Sequence, residues 1–365
     1  MDNMSDKDAD FNDKMLEKIY IFSSVVVFIF SLAPLFYIAK FDFPGSDDFP
    51  YSETTQKVWD ATHSAGMLLR ESINTSVRFW HSWQGLYSSA ALQSLQPILS
   101  IVAGMMSLTV FLMRRYFKSR YSEALFIGAA LSFYAIQYMP DISEGIYWFN
   151  GAVNYVFFWS LQSFYIICIL MSRGNSTGSS NHENMTAWRV LFLFIASVLG
   201  FYIEGGNLVT AFFAILFTFG VLIYDIVDRD RKNACIDIYL LVLLIAGFLL
   251  NILSTGTLVR KLCFSADNPV KAVIAAGCDG LCILPFTISL LFCPPYYAMG
   301  FAGTGRLVNT VFFSFIVLCS IALVYFLGWM YRRTDEAVLW KLCSEVSVRT
   351  DFCFCVRYTC DWKQE

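Results

Sequence analysis

The chain has 365 residues, of which 57% are hydrophobic and only 15% charged, and its formal net charge is −3. Soluble domains carry roughly 25% charged residues, so a single water-soluble fold is excluded. A mildly acidic balance, with only short basic clusters flanking apolar runs, excludes a nucleic-acid partner, and eleven cysteines scattered largely within those runs do not form a disulfide framework.

Residues 1–18 are polar and acidic, unlike the basic start of a signal peptide, and are predicted to form a cytoplasmic N-terminus. The run from Ile19 to Ala39 reaches the roughly 20 apolar residues that cross a bilayer as a helix. Immediately after it comes Asp42-Phe43-Pro44-Gly45-Ser46-Asp47-Asp48-Phe49, with two adjacent carboxylates where the chain leaves the bilayer. The outer segment 40–96 is too polar to cross. From Thr54 to Trp80 its apolar residues Val58, Ala61, Ala65, Leu68, Leu69, Ile73 and Val77 recur at helical spacing, which predicts a juxtamembrane amphipathic helix. An aromatic cluster around Trp80 and Trp83 suits the interface.

Further spans are predicted at about 97–113, 121–138, 153–171, 190–202, 208–227, 234–253 and 309–330. Basic loops at 114–120, 173–189 and 228–232 fall on one side, which the positive-inside rule makes cytoplasmic. Loops at 40–96, 139–151, 203–207 and 254–270 fall on the other. The run 273–293 contains Asp279, Gly277, Gly280 and Pro285, and Arg332-Arg333 closes the last span. A broken 273–293 segment keeps those arginines with the other basic loops. The expected fold is all-α, a polytopic transmembrane helical bundle over residues 19–333 with about 8–10 spans, followed by a cytoplasmic tail at 334–365. In the tail, Cys343, Cys353, Cys355 and Cys360 lack ordinary zinc spacing and read as plain thiols.

The polar loops hold the residues suited to chemistry. Asp47 and Asp48 fit a general base, whose proton affinity a like-charged neighbour raises, or a divalent-metal pair. They fit equally the first turn of a helix. Glu144 with Tyr147, Trp148 and Asn150 fits a sugar-binding face or an interfacial aromatic belt. Glu204 and Asn207 occupy a loop with almost no room between spans, so the acid is expected to face a cavity or an arginine. Arg260 and Arg306 fit phosphate oxygens or rim ion pairs, as do Lys261, Arg70 and Arg78. Asp279 is a further intramembrane acid. Three histidines, and no P-loop or dinucleotide-binding glycine motif, argue against Ser-His-Asp hydrolysis and nucleotide-driven transport.

In order, Ser46-Asp47-Asp48-Phe49, Trp83-Gln84-Gly85-Leu86-Tyr87, Glu144 with Tyr147-Trp148, Gly151 and Asn154-Tyr155, Glu204-Gly205-Gly206-Asn207, Arg260 and Arg306 resemble a bacterial family of polytopic membrane proteins of GT-C-like architecture. That family is similar to O-antigen glucosyltransferase-like proteins. The chain departs from its pattern at Leu86, where an arginine is common, and at Ser254-Thr255-Gly256-Thr257, which replaces Pro-Gly-Asn. The resemblance implies an inverting glycosyltransferase of the bacterial inner membrane that takes sugar from a polyprenyl-phosphate donor to a glycan or lipid acceptor on the outer face. It implies Asp47 or Asp48 as base, Arg260 and Arg306 on the donor phosphate, and Glu144, Trp148 and Glu204 around the sugar. A transporter or lipid-carrier flippase, and a non-catalytic assembly partner, are the rival readings.

Overall fold

The computed structural model describes residues 2–39, 48–82, 88, 97–173, 187–264, 291 and 305–333. The expected all-α polytopic fold is observed: among the described residues there are helices and no strands. They are α1 (Asp2–Ala39), α2 (Asp48–Thr62), α3 (Ala65–Ser82), α4 (Pro97–Tyr116), α5 (Tyr121–Gln137), α6 (Phe149–Gly151), α7 (Phe158–Ser172), α8 (Ala187–Glu204), α9 (Leu208–Val227), α10 (Arg231–Ile252), α11 (Thr255–Phe264) and α12 (Gly305–Arg333). Two wide, π-helical stretches, Ser143–Tyr147 and Ala152–Phe157, flank α6. Among the described residues, six stretches are long and apolar enough to cross a membrane: Lys14–Ala39, Phe149–Ser172, Ala187–Glu204, Leu208–Val227, Arg231–Ile252 and Gly305–Leu323. The chain is therefore a multi-pass membrane protein.

Its outside is apolar. Phe30, Trp188, Phe194, Tyr224 and Val227 are all more than 60% exposed, a surface that suits lipid and not water. The inside is apolar with small and hydroxylated residues between. Leu35, Ile101, Met105, Ile136, Trp159 and Phe313 tie α1, α4, α5, α7 and α12 into one core. Tyr165, Ile169, Ala196, Ala214, Leu240 and Leu244 tie α7, α8, α9 and α10 into another. Small residues allow the close approach: a Cβ on Gly104 would lie 2.8 Å from the Ser160 Cα, the kind of small-residue contact that lets membrane helices approach closely. Interior hydroxyls turn back on their own helices, as Ser132 does to the Gly128 carbonyl at 2.7 Å and Thr218 to that of Ala214 at 2.8 Å. Each such bond satisfies a hydroxyl within its own helix, as a bilayer interior requires.

Sequence and structure differ in two places. The segment predicted as one amphipathic helix from Thr54 to Trp80 is helical but divides into α2 and α3, packed on each other as a hairpin. His63 turns into the left-handed region at φ 46°, and the Ser64 hydroxyl accepts the Met67 amide at 3.5 Å at the entry to α3. Local capping chemistry, which hydrophobic periodicity does not report, makes the break. In addition α1 begins at Asp2, so the polar N-terminal residues continue the helix of the first span.

The polar ends are sorted. At one end α3 docks on the bundle, with the Trp80 indole donating to the Leu250 carbonyl at 3.3 Å and the Thr255 hydroxyl to the His81 carbonyl at 3.0 Å. Bonds between Glu144 and Arg306, and between Asp141 and Asn309, bring the start of α12 to this same end. Arg332 and Arg333 therefore lie at the opposite end, with Arg114, Arg115 and Arg231. That is the parity expected of them; the 273–293 run itself, with Asp279, lies outside the described residues, as do the tail cysteines.

Candidate functional site

The loop end is built on residues 139–157, where the chain between two long helices runs as wide turns. Asp141 starts it. Its Oδ1 accepts the Ser143 hydroxyl at 2.8 Å and the Glu144 amide at 3.0 Å, capping the first turn. Asn309, fully buried on α12, clasps the Asp141 backbone, accepting its amide at 2.9 Å and donating to its carbonyl. Wide turns of this kind are rare and concentrate at functional sites. Gly151 permits the second: any Cβ there would overlap the Glu144 carbonyl and stand 2.7 Å from the Trp148 ring.

This scaffold assembles a first cluster from three predicted residues. Glu144 Oε2 accepts the Arg306 amide at 3.0 Å, placing a carboxylate at the N-terminus of α12, where the helix dipole favours it. The Arg306 guanidinium lies 4.4 Å from the Trp148 ring centre and 5.6 Å from that of Tyr155, within cation–π range of both. No carboxylate pairs with it among the described residues, and its Nε is buried without a hydrogen-bond partner. The Trp148 indole N–H is likewise buried and unsatisfied. Tyr147 turns away, packing against the core around Ile146 and Phe313.

The second cluster holds Glu204 and Asn207. Asn207 Oδ1 accepts the Val209 and Thr210 amides at 3.1 and 2.9 Å, capping α9, while its Nδ2 donates to the Asn154 carbonyl at 2.8 Å. Asn251 holds the loop from the other side, donating to the carbonyls of Glu204 at 2.8 Å and Gly206 at 3.0 Å. Ser88 closes it from above. Its amide reaches the Gly205 carbonyl at 3.1 Å and its hydroxyl that of Tyr202 at 2.6 Å, while the Tyr202 hydroxyl donates back to the Ser88 carbonyl at 2.6 Å. Inside this clamp Glu204 is 0% exposed, and neither carboxylate oxygen has a partner. Of the two expectations for it, a cavity or an arginine partner, no arginine pairs with it among the described residues.

The two clusters share one stretch of chain: Trp148 and Tyr155 carry Arg306, and Asn154 carries Asn207. Asn154 also donates to the Asn150 carbonyl at 2.8 Å, and its own Oδ1 is buried with no partner. The loop end thus buries unsatisfied donors on Trp148 and Arg306 and unsatisfied acceptors on Asn154 and Glu204. Buried polar groups are ordinarily paired, so this set is complementary to a ligand that brings both donors and acceptors. No family model, curated protein or solved structure matches this chain.

Several predicted residues stand elsewhere. Asp47 lies outside the described residues. Asp48 is the first residue of α2, the position that the helix-start reading gave it, and its side chain, like that of Arg260 on α11, is outside the description. Arg78 is spent within the hairpin, donating to the Thr54 and Thr75 hydroxyls at 3.0 Å each. No three His, Cys, Asp or Glu side chains gather as a metal site among the described residues.

Two acids were missed. Asp225 and Asp237 lie inside the sixth and seventh predicted spans, and both pair with Arg173, which the sequence placed at the start of a cytoplasmic basic loop without a partner. An ionisable residue inside an apolar run was the available signal.

The Asn251 clamp makes a prediction. Leucine at Asn251 keeps the branched outline of the side chain but leaves two buried carbonyls unsatisfied. At about 1–3 kcal/mol each, the expected loss is roughly 2–6 kcal/mol. Thermal unfolding of the detergent-solubilised protein measures it; an unchanged midpoint would mean that water replaces the amide.

Proposed function

We propose that the protein is a glycosyltransferase of the bacterial inner membrane, N-terminus cytoplasmic, that moves a sugar from a polyprenyl-phosphate donor to a glycan or lipid acceptor at the loop end. One observation carries the reading: the Arg306 guanidinium, without a carboxylate partner among the described residues, lies on the Trp148 ring beside a set of unsatisfied buried donors and acceptors. A phosphate supplies the charge that Arg306 lacks. An aromatic face and carboxylate or amide oxygens suit the apolar face and hydroxyls of a sugar. The apolar outside of the bundle suits the polyprenyl chain.

In this reaction Asp47 or Asp48 takes the proton of the acceptor hydroxyl. The freed oxygen attacks the anomeric carbon from the side opposite the phosphate, the carbon–phosphate oxygen bond breaks, and the configuration inverts. Charge then accumulates on the leaving phosphate, where Arg306, with Arg260, stabilises it. Purified protein in nanodiscs, supplied with labelled polyprenyl-phosphate sugars and a lipid-extract acceptor, tests the reading. Alanine at both Asp47 and Asp48 is expected to abolish transfer with expression intact. Undiminished transfer removes the proposed base.

A second reading, a transporter or lipid-carrier flippase, is favoured by the buried charges Arg173, Asp225 and Asp237 at the opposite end. Polar groups at both ends are what a passage through the bilayer needs. Cysteines placed along α7 and α9 that react alternately from the two faces would select it.

A further inference from the structure

The basic end contains a site that the proposed reaction does not use. Arg173 closes α7, Asp225 stands near the end of α9, and Asp237 lies two turns into α10. Their side chains are 10%, 3% and 1% exposed. The same Nη2 of Arg173 meets Asp225 Oδ2 and, at 3.5 Å, Asp237 Oδ2. Two carboxylates face one guanidinium.

Among the described residues, the groups packed around them do not supply the missing positive charge. Arg189, on α8, donates through Nε to the Ser172 carbonyl at 3.0 Å. Arg115, on α4, reaches the Met171 sulfur at 3.6 Å. Neither forms an ion pair with the two acids. Asp230, at the entry to α10, adds a further carboxylate and is engaged with Asn233. On the buried face of α10, one turn before Asp237, the Asn233 side chain is 4% exposed and its Oδ1 has no donor; side chains four apart on a helix lie together. Both oxygens of Asp237 lack a hydrogen-bond donor as well.

Among the described residues, Asp225 and Asp237 set against Arg173 leave one buried negative charge in excess among helices read as membrane-spanning, together with acceptor atoms on Asn233 and Asp237 that have no hydrogen. Burying an uncompensated charge is among the costliest arrangements in a protein. We propose that Asp225 and Asp237 bind one proton between them, forming with Arg173 a neutral proton-binding site at the basic end. The bound proton supplies the missing charge and the missing donor together. Two close carboxylates beside one cation hold a single proton for the same reason that paired acids elsewhere do not both ionise. The inference stands whether the loop end transfers sugars or not.

Infrared difference spectroscopy of the full-length protein in lipid tests it. In a Glu204→Gln background, which takes the other buried carboxyl out of the spectrum, the protein is expected to show a protonated-carboxyl band that Asp237→Asn and Asp225→Asn each remove. Arg173→Gln supplies an arm that does not depend on the acids: without the guanidinium both acids take a proton, and the band should double. Unfolding midpoints establish that each variant is folded; a variant that does not fold is replaced by the wild type read in sodium and in choline buffers. A band absent from the folded Glu204→Gln protein, unchanged by either asparagine, or displaced by sodium overturns the proposal, the last because a cation then holds the place of the proton.

Discussion

Glutamine at Arg306 is expected to weaken binding of a polyprenyl-phosphate sugar by about 10–100-fold, and turnover with it. Hydrogen bonds to charged groups are worth about 1.5–3 kcal/mol, which sets that range. The fold should be spared, because Glu144 binds the backbone amide of residue 306 and not its side chain. The cap on α12 therefore survives the substitution, and the Asp141–Asn309 clasp is untouched. Lysine at the same position keeps the charge but loses the planar fork and most of the stacking on Trp148, so it should fall between glutamine and wild type. Binding of the lipid phosphate to protein in nanodiscs, with the sugar-free polyprenyl phosphate as a second ligand, separates the phosphate from the sugar. Equal affinities for wild type and glutamine would take Arg306 out of the site.

Alanine at Gly206 is expected to lower stability by about 1–3 kcal/mol or more through overpacking. A Cβ there would overlap the Phe158 ring. That ring cannot retreat: it is fully buried, and it stacks on Tyr202 with a centroid distance of 5.6 Å and an angle of 5°. The loop cannot retreat either, since Asn251 holds the Gly206 carbonyl and Ser88 the Gly205 carbonyl. Gly220 is the control. A Cβ there meets nothing within 4 Å, so alanine in the middle of α9 should be neutral or stabilising by up to about 1 kcal/mol. Comparing the unfolding midpoints of the two variants reads local packing directly; equal midpoints would show that the loop gives way.

Both predictions sit at positions where the sequence pointed to a place but not to an arrangement. Glu144, Trp148 and Arg306 were each legible as chemistry-bearing residues, since acids, aromatics and arginines next to apolar runs are conspicuous. What could not be read was that Glu144 spends an oxygen on the backbone of α12 while Arg306 stacks on aromatic rings. Residues 144 and 306 are joined only by the packing of α12 against the wide turns. Glu204 was expected to face a cavity or an arginine, and the closure around it depends on Tyr202, Ser88 and Asn251, which converge from three separate segments. The partners of Arg173 could not be read, because they lie on two other helices.

Length, apolar fraction and helical periodicity by themselves determined an all-α chain of membrane-crossing helices, the order of those helices and the sorting of polar loops to two ends. These follow from the bilayer, which demands that every backbone polar group be satisfied within its own helix and that charges stay near the surface. Tertiary structure alone decided which polar groups meet: the stacking of Arg306 on Trp148, the closure around Glu204, and the sharing of Arg173 by two acids. Periodicity reports which face of a helix is apolar, but the partner of a buried charge is set by how neighbouring helices rotate and slide against one another, and no single helix carries that information.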